Sequence, residues 1–181
     1  MNSIRIISGT HKGRRVKAPK QLPARPTTDI AKESLFNILN NHYYFEDILV
    51  LDLYSGTGNI SYEFASRGTE NITAVDQNVA AIKFINQTSE SFEFPIRTIK
   101  SEVIKFLENH QGKYNVIFAD PPYAEDIELL QKIKLIVFEK EFLLHNGMLI
   151  IEHSKLTDLS ETLDFKYAKS YGSSTFSFFS Y

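Results

Sequence analysis

Residues 48–58 read Ile-Leu-Val-Leu-Asp-Leu-Tyr-Ser-Gly-Thr-Gly, and this stretch decides the fold class of the chain. Its apolar first half is typical of a strand buried on both faces of a sheet. Its glycines allow a sharp turn and let the backbone approach a ligand closely. The sequence predicts a helix over 59–67 directly after them. A buried strand, a glycine loop and a helix in this order indicate an α/β protein with a nucleotide-type pocket.

A carboxylate follows at the distance that such a pocket requires. Asp76 ends an apolar run eighteen residues after Gly58, where it would meet the two hydroxyls of a ribose. The full dinucleotide fingerprint is absent because Ser61 stands where its third glycine belongs. Two cofactors fit this outline, a hydride-carrying dinucleotide or S-adenosylmethionine. Asp52 is either a hydrogen-bonded strand-end carboxylate or a partner for a methionyl ammonium group, contacted directly or through water.

Residues 114–123 read Tyr-Asn-Val-Ile-Phe-Ala-Asp-Pro-Pro-Tyr and distinguish between these cofactors. If Asp120 accepts one N–H of a planar amine and the Pro121 carbonyl accepts the other, the nitrogen lone pair is aimed at an incoming carbon. Pro121 and Pro122 fix the backbone before substrate arrives. Tyr123 would stack on a base taken out of its helix. The alternative is a strand-ending turn. The motif suits methyl transfer to an amine and has no obvious use in hydride transfer.

The rest of the chain alternates between strand and helix patterns, which predicts a doubly wound, Rossmann-like parallel sheet. Only Gly172-Ser173-Ser174 joins the last two predicted strands, so these form an antiparallel hairpin, and the sheet has seven strands. A further hairpin is expected at the amino terminus, over 3–8 and 14–18, and the first helix opens near Thr28 or Asp29. The predicted sheet strands are 48–54, 71–76, 96–99, 114–120, 148–152, 165–171 and 175–181, and the later helices are 59–67, 78–90, 102–109 and 126–140.

The chain resembles the class I S-adenosylmethionine-dependent methyltransferases that modify amino groups of nucleic-acid bases. Within this class it is similar to the bacterial RsmD family of small-subunit ribosomal RNA guanine-N2 methyltransferases. The resemblance covers nearly the whole length, and Arg-Pro-Thr-Thr-Asp at 25–29 is its family-specific part. The other matching segments are 5–9, 13–15, Glu33, 35–37, 51–58, Asp76, 120–123 and 151–153.

The resemblance implies a role for each matching residue. By this resemblance, Gly56, Gly58 and the neighbouring backbone bind the methionyl part of S-adenosylmethionine. Asp76 binds the ribose, and Glu102 with Val103 contacts the adenine. Thr27, Thr28 and Tyr54 border the same pocket, and S-adenosylhomocysteine is the product. Ser61 departs from the family's glycine, which should only tighten helix packing, and Glu102 replaces a shorter side chain. No metal is implied.

Charge is distributed unevenly along the chain. The net charge is −2, but residues 1–33 hold eight Lys and Arg against two acidic residues, so this segment carries +6 and the remainder −8. A local basic segment suits contact with RNA phosphates, with a solvated hairpin as the alternative. We therefore predict an RNA-contacting extension over 1–26 and a methyltransferase domain over 27–181. The proposed RNA-binding residues are Lys12, Arg14, Arg15, Lys17 and Arg25.

Composition limits the class of protein. With 181 residues and 43% hydrophobic content, the chain has about the size of one domain and can bury a core without staples. It has no cysteine, which excludes disulfides and thiolate metal sites within it. No apolar run reaches the roughly 18 residues of a membrane span, and basic residues occupy the place of a secretory signal. We expect a cytoplasmic monomer that acts on ribosomal RNA, within a small subunit or its assembly intermediate.

Several alternatives remain open at the level of sequence. The same motif would serve adenine N6 or cytosine N4, since only the resemblance selects guanine. Methylation of a protein glutamine is less compatible, because related enzymes favour Asn at the first position of the motif. An RNA-binding ribosome assembly factor without turnover is the non-enzymatic alternative, and the intact Asp120 argues against it.

Overall fold

The computed structural model describes residues 3–20, 22, 27–122 and 126–181, which form a seven-stranded sheet with helices on both faces and a separate two-stranded sheet. The strands are β1 Ser3–Arg5, β2 Arg15–Lys17, β3 Leu49–Leu53, β4 Asn71–Asp76, β5 Ile96–Lys100, β6 Tyr114–Ala119, β7 Leu143–Ser154, β8 Phe165–Tyr171 and β9 Ser174–Phe179. The α-helices are α1 Asp29–Asn40, α2 Asn59–Ser66, α3 Val79–Phe92, α4 Val103–Asn109 and α5 Ile127–Glu139, and a 3₁₀ turn covers Phe45–Asp47.

The large sheet has the strand order β5-β4-β3-β6-β7-β9-β8. β5, β4, β3, β6 and β7 run parallel, whereas β9 lies antiparallel between β7 and β8. The predicted doubly wound sheet of seven strands with an antiparallel carboxyl-terminal hairpin is therefore confirmed. β7 begins at Leu143, five residues earlier than predicted, because it continues past a register shift in its pairing with β6.

The strand order changes direction at β3 and β6, which lie side by side in the middle of the sheet. Chain connections leave these two neighbouring strands toward opposite sides, so their carboxyl ends border a crevice. The two conspicuous segments of the sequence, 54–58 and 120–122, follow these two strands. The fold thus places both segments at the edge where α/β sheets bind ligands.

The first turns of α1 and α4 begin at side chains that cap them. Thr28 is the N-cap of α1, and its hydroxyl accepts a hydrogen bond from the Ala31 N–H, as predicted. Glu102 is the N-cap of α4, so this helix begins one residue later than expected. Within the described ranges, no helix has both the length and the apolar character that a bilayer crossing needs.

The sheet separates two apolar cores, because neighbouring residues of a strand point to opposite faces. Val50, Phe118 and Ile150 belong to the core beneath α1, α2 and the amino-terminal strands. Leu51, Ile117 and Ile151 belong to the core beneath α4 and α5.

β1 and β2 form an antiparallel hairpin whose inward residues Ile4 and Val16 join the first of these cores. The amino-terminal strands are thereby packed into the main body. The predicted domain boundary at residue 26 lies outside the described residues, and the division into two domains stays a prediction.

A buried ion-pair network fastens this hairpin to the helices. Lys32 Nζ lies 2.8 Å from Glu63 Oε1 and donates to the Arg5 carbonyl at 2.6 Å. Arg67 pairs with the other oxygen of Glu63, and the Ile7 N–H donates to that carboxylate at 2.9 Å. Lys32 is 1% exposed, so this base, counted above in the positive segment, is not a phosphate contact. Burial lowers the pKa of Lys32, against the opposing effect of Glu63.

Candidate active site

A large cavity lies at the carboxyl ends of β3, β4, β6 and β7. Its volume is about 1830 Å³, above the roughly 300–1,000 Å³ typical of small-molecule sites. Asp52, Gly56 and Asp76 line one side, and Asp120 and Pro121 line another. The cavity is therefore large enough for two ligands placed side by side.

The turn after β3 adopts the conformation for which the glycines were predicted. Tyr54 has a positive φ of 57°, followed by Gly56 at 51° and Gly58 at 78°. A Cβ on Gly58 would lie 2.7 Å from the Tyr62 ring, so a larger residue would clash there as well as being strained. A Cβ on Gly56 would meet only the Tyr54 carbonyl oxygen, at 3.8 Å. The Gly56 backbone is thus open to close approach by a ligand.

Asp76 closes this turn from the neighbouring strand. Its Oδ2 accepts the Gly56 N–H at 2.8 Å, and its Oδ1 accepts the Asn78 N–H at 2.7 Å. Two backbone bonds hold the carboxylate at the rim of the cavity. The structure thus brings Asp76 next to the glycine loop, and its contact with a ribose stays a prediction.

Asp52 lies deeper on the same side and is 2% exposed. Ser61 Oγ donates to its Oδ2 at 2.5 Å. Burial raises the pKa of Asp52 to about 7, and the hydrogen bond from Ser61 acts in the opposite direction. The expectation that Ser61 only tightens helix packing is wrong, because its hydroxyl acts on a carboxylate that lines the cavity.

The Asp-Pro-Pro segment forms the wall beside β6. Asp120, Pro121 and Pro122 all line the cavity, and the Asp120 N–H donates to the Leu53 carbonyl at 3.4 Å. That bond ties the end of β6 to the end of β3. Tyr123 lies outside the described residues, so base stacking by its ring stays a prediction.

Other predicted pocket residues divide into two groups. Thr27, Thr28 and Tyr54 line the cavity, whereas Glu102 and Val103 do not. Both carboxylate oxygens of Glu102 cap α4 by accepting the N–H groups of Ile104 and Lys105, at 2.9 and 2.7 Å.

Glu102 nevertheless lies near the cavity wall. Burial, with a smaller contribution from Glu102, raises the pKa of Tyr54 to about 12. Val103 is 1% exposed and belongs to the apolar core. An adenine contact by these two residues stays a prediction.

One buried pair was missed by the reasoning from sequence. Thr27 Oγ1 donates to Glu152 Oε2 at 2.7 Å, and Asn59 Nδ2 donates to the Thr27 carbonyl at 3.2 Å. All three residues line the cavity. Glu152 stands in the segment 151–153 that carries part of the resemblance, but no local pattern relates it to Thr27, 125 positions earlier.

His153 follows Glu152 in β7, and each of its ring nitrogens has a hydrogen-bond partner. Its Nδ1 lies 2.8 Å from the Ser154 carbonyl oxygen, and its Nε2 lies 2.7 Å from Ser177 Oγ. Burial lowers its pKa. Both ring nitrogens of His153 therefore have partners within the sheet. Among the described residues, no group of three or more His, Asp or Glu side chains could hold a metal ion.

The basic residues of the amino-terminal hairpin lie on its surface. Lys12, Arg14, Arg15 and Lys17 are exposed, and the Arg14 guanidinium lies 5.4 Å from the centre of the Phe92 ring. Arg25 lies outside the described residues. The four described bases are available to a polyanion, and their contact with RNA stays a prediction.

Comparison with known sequences gives close relatives. A Bacillus subtilis protein named putative rRNA methyltransferase YlbH is 32% identical over 165 residues, which cover 88% of each chain. A protein named ribosomal RNA small subunit methyltransferase D, from Buchnera aphidicola, is 30% identical over 153 residues, which cover 84% of this chain and 76% of the relative.

Solved structures confirm the fold. A structure titled putative methyltransferase yhhF from Escherichia coli matches with a TM-score of 0.84 and 22% identity, over 98% of this chain and 97% of that one. A Thermus thermophilus 16S rRNA N2 methyltransferase, solved in complex with AdoMet and guanosine, matches 98% of this chain and 49% of its own, with a TM-score of 0.76 and 17% identity. The model of the family described as "Conserved hypothetical protein 95" matches residues 4–180. The chain therefore belongs to this family, the RsmD family that its motifs resemble.

Proposed function

We propose that the chain transfers a methyl group from S-adenosylmethionine to the N2 amine of a guanine in small-subunit ribosomal RNA. One observation carries this proposal: the Gly56–Asp76 turn and the Asp120-Pro121 segment line the same cavity. The first suits a nucleoside-containing donor and the second suits a planar amine. The relatives are named as ribosomal RNA methyltransferases, which supports the same reaction.

The residues on the β3–β4 side fit S-adenosylmethionine. Asp76, held by two backbone N–H groups, is placed to accept hydrogen bonds from ribose hydroxyls. Asp52 is a buried carboxylate whose raised pKa reflects missing solvation, and a ligand ammonium group would compensate for it. The open side of Gly56 would admit the methionyl part, and Thr28 and Tyr54 would border the ligand. We assign the adenine to the surroundings of Glu102 and Val103.

When bound, S-adenosylmethionine supplies a methyl group on a sulfonium sulfur. The chain's own task is to present the amine. Asp120 accepts one N–H of the exocyclic nitrogen and the Pro121 carbonyl accepts the other, which directs the lone pair away from the ring plane. Because both acceptors stand on a proline-stiffened segment, little conformational freedom is lost when the base enters. Up to the transfer itself, the chain contributes position, exclusion of water and two acceptors.

No strong base is needed before the transfer. The nitrogen becomes acidic only when it carries the new methyl group, and Asp120 or water then takes the proton. His153 is not a candidate for this step, because both of its ring nitrogens have partners in β7 and β9.

The RNA would contact the exposed bases of the amino-terminal hairpin, with Lys12, Arg14, Arg15 and Lys17 neutralising phosphates. Arg25 belongs to the same assignment. A polyanion drawn to this hairpin approaches a body that is otherwise acidic, which restricts how it docks. We propose that the chain works as a cytoplasmic monomer on a small ribosomal subunit or its assembly intermediate.

The test uses small ribosomal subunits from cells that lack this gene. Wild-type protein and tritiated S-adenosylmethionine should label their RNA, and mass analysis of the digested nucleosides should identify one N2-methylguanosine. Methylated adenine or cytosine would move the assignment to another base. Subunits that gain no label, together with an unchanged nucleoside profile in the deleted strain, would refute the proposed function.

A further inference from the structure

Two residues with carboxyl side chains, Asp120 and Glu152, line the cavity at the ends of neighbouring strands. Ala119 of β6 is the register partner of Ile151 in the parallel strand β7. Asp120 and Glu152 are the next residues along these two strands. Neighbouring strands lie about 4.8 Å apart, so the two backbones are separated by roughly one strand spacing at this level.

The position of each residue in the sheet directs it toward this cavity. Phe118 and Ile150, two residues before Asp120 and Glu152, pack in the same core. Side chains alternate along a strand, so Glu152 projects to the face of Ile150. Asp120 and Glu152 both line the cavity. A base held by Asp120 therefore has Glu152 beside it along the sheet.

The Glu152 carboxylate is held in place. Glu152 is 6% exposed, and its Oε2 accepts a hydrogen bond from Thr27 Oγ1 at 2.7 Å. Thr27 is itself held by Asn59, which donates to its carbonyl oxygen. A carboxylate has about four lone-pair positions and can accept several bonds at once. Glu152 is thus an oriented acceptor at the cavity wall.

The edge of the base beside the amine differs between the possible substrates. In guanine, the N2 amine is flanked by N1–H, a hydrogen-bond donor. In adenine and cytosine, the exocyclic amine is flanked on the pairing edge by a ring nitrogen with no hydrogen, which is an acceptor. A carboxylate at this point attracts the N1–H of guanine and repels the ring-nitrogen lone pair of adenine or cytosine.

We propose that Glu152 accepts the N1–H of the target guanine and thereby selects guanine over bases that carry an acceptor at this position. Asp120 and the Pro121 carbonyl hold the N2 amine in the same complex. Thr27 is a positioning residue, acting through Glu152. This inference deepens the proposed function and rests on it.

The test separates the two hydrogen-bonding groups of guanine with nucleoside competitors. Guanosine has both the N1–H and the amine, 2-aminopurine riboside has the amine without the N1–H, and inosine has the N1–H without the amine. Each is used to inhibit methyl transfer to small subunits from cells lacking the gene. With the wild-type protein, we expect guanosine to inhibit about tenfold to hundredfold better than 2-aminopurine riboside.

Glu152→Gln should remove this preference, because a side-chain amide can accept from N1–H or donate to a bare ring nitrogen. We expect the advantage of guanosine over 2-aminopurine riboside to fall about tenfold, while its advantage over inosine stays within about twofold. Glu161→Gln, at an exposed carboxylate outside the cavity, is the matched control and should behave as wild type.

The positioning role of Thr27 is tested by the same ratio. Thr27→Val should weaken the selection between guanosine and 2-aminopurine riboside, and Thr27→Ser, which keeps the hydroxyl, should restore it. A purely structural role would lower activity without moving the ratio.

The outcomes distinguish this inference from the proposed function. If the wild-type protein labels no subunits, the proposed function has failed. If it labels them but the guanosine to 2-aminopurine ratio is the same in Glu152→Gln, the role of Glu152 is refuted and the methyl transfer stands. The same conclusion follows if the wild-type protein is inhibited equally by all three nucleosides, or by none.

Discussion

The two sides of the cavity are built in different ways. On the β3–β4 side, the hydrogen bonds join residues close in sequence: Gly56 to Asp76 across 20 positions and Ser61 to Asp52 across 9. On the β6–β7 side, the bond from Thr27 to Glu152 spans 125 positions. These two bonds of the first side lie within one strand–helix–strand unit, whereas the bond of the second side needs the chain before α1 packed against a strand near the carboxyl terminus.

This difference implies that donor binding and base selection can be altered independently. The donor side holds its geometry through contacts of its own unit, so changes near β7 should leave it intact. The substrate side is an assembly of distant segments, so its geometry depends on the whole fold. Variants that affect one side and spare the other test this view directly.

The largest expected effect comes from Asp120→Ala. Removal of one of the two acceptors of the amine should lower the rate of methyl transfer about 10³-fold. Calorimetry should find S-adenosylmethionine binding nearly unchanged, because Asp76 and Gly56 hold the donor. Radiolabel incorporation under single-turnover conditions gives the rate.

Two results would contradict this expectation. Retained transfer would support the assembly-factor alternative or a different acceptor. A loss of donor affinity equal to the loss of rate would show that the two sides of the cavity are not independent.

The buried ion-pair network of Glu63 supports the hairpin and helices behind the donor side. Glu63→Gln leaves Lys32 buried with its main partner neutralised, which should lower the free energy of unfolding by about 3–5 kcal/mol. Urea unfolding at neutral pH measures this change. In the fraction that remains folded, donor affinity should stay close to wild type, because Glu63 does not line the cavity.

Glu108→Gln is the matched control for that measurement. Glu108 pairs with Lys132 at 3.7 Å, and about half of each side chain is exposed. Exposed pairs of this kind contribute about 0–1 kcal/mol. If both variants lower the free energy of unfolding equally, burial of the Glu63 network does not account for its contribution to stability.

The contacts that the structure shows on the two sides of the cavity were not equally accessible from the sequence, for a physical reason. The glycine loop and Asp76 belong to one local unit whose spacing is set by a strand, a helix and a strand. The Thr27–Glu152 bond depends on which strands become neighbours, and hydrophobic periodicity does not contain that information. The predicted strand and helix order was correct, because each element has its own pattern.

Charge gave the least reliable expectations. Lys32 counted as one of eight bases in a positive segment, yet it is buried against Glu63. Composition counts charges without showing which of them are paired inside the protein. Ser61 was misjudged in a similar way, because a departure from the family's glycine was assessed for packing and not for its hydroxyl.

A smaller effect is expected from Asp76→Asn. The amide keeps one acceptor oxygen but loses the charge, so both the ribose contact and the bond to Gly56 should weaken. We expect the dissociation constant of S-adenosylmethionine to rise about 10-fold to 100-fold. The transfer rate at saturating donor should change little, in contrast to Asp120→Ala.

Asp47→Asn provides the control, since Asp47 is exposed and lies outside the cavity. Calorimetry on all three proteins gives the comparison. If Asp76→Asn binds the donor as tightly as wild type, the proposed contact between Asp76 and the ribose is refuted.

The smallest predicted effect is a pH dependence. Asp52 has a pKa raised to about 7, so its charge is lost as the pH falls through neutrality. An ammonium group of the donor requires that charge, and donor affinity should therefore rise between about pH 6 and 7.5, below the usual α-amino pKa of about 7.7–8.0. In Ser61→Ala, loss of the hydroxyl bond favours the neutral form and should raise the pKa of Asp52 further. The rise in affinity should then move to higher pH, with a deficit of up to about tenfold near pH 6.5.

A double-mutant cycle shows whether Ser61 acts through Asp52 or through packing. Asp52→Asn should abolish the pH-dependent rise, and Ser61→Ala should have no further effect in that background. If Ser61→Ala lowers donor affinity equally with and without Asp52, its contribution is packing against the sheet, as the family pattern implied. If it shifts the curve only when Asp52 is present, the hydroxyl at this non-glycine position tunes the carboxylate that meets the donor.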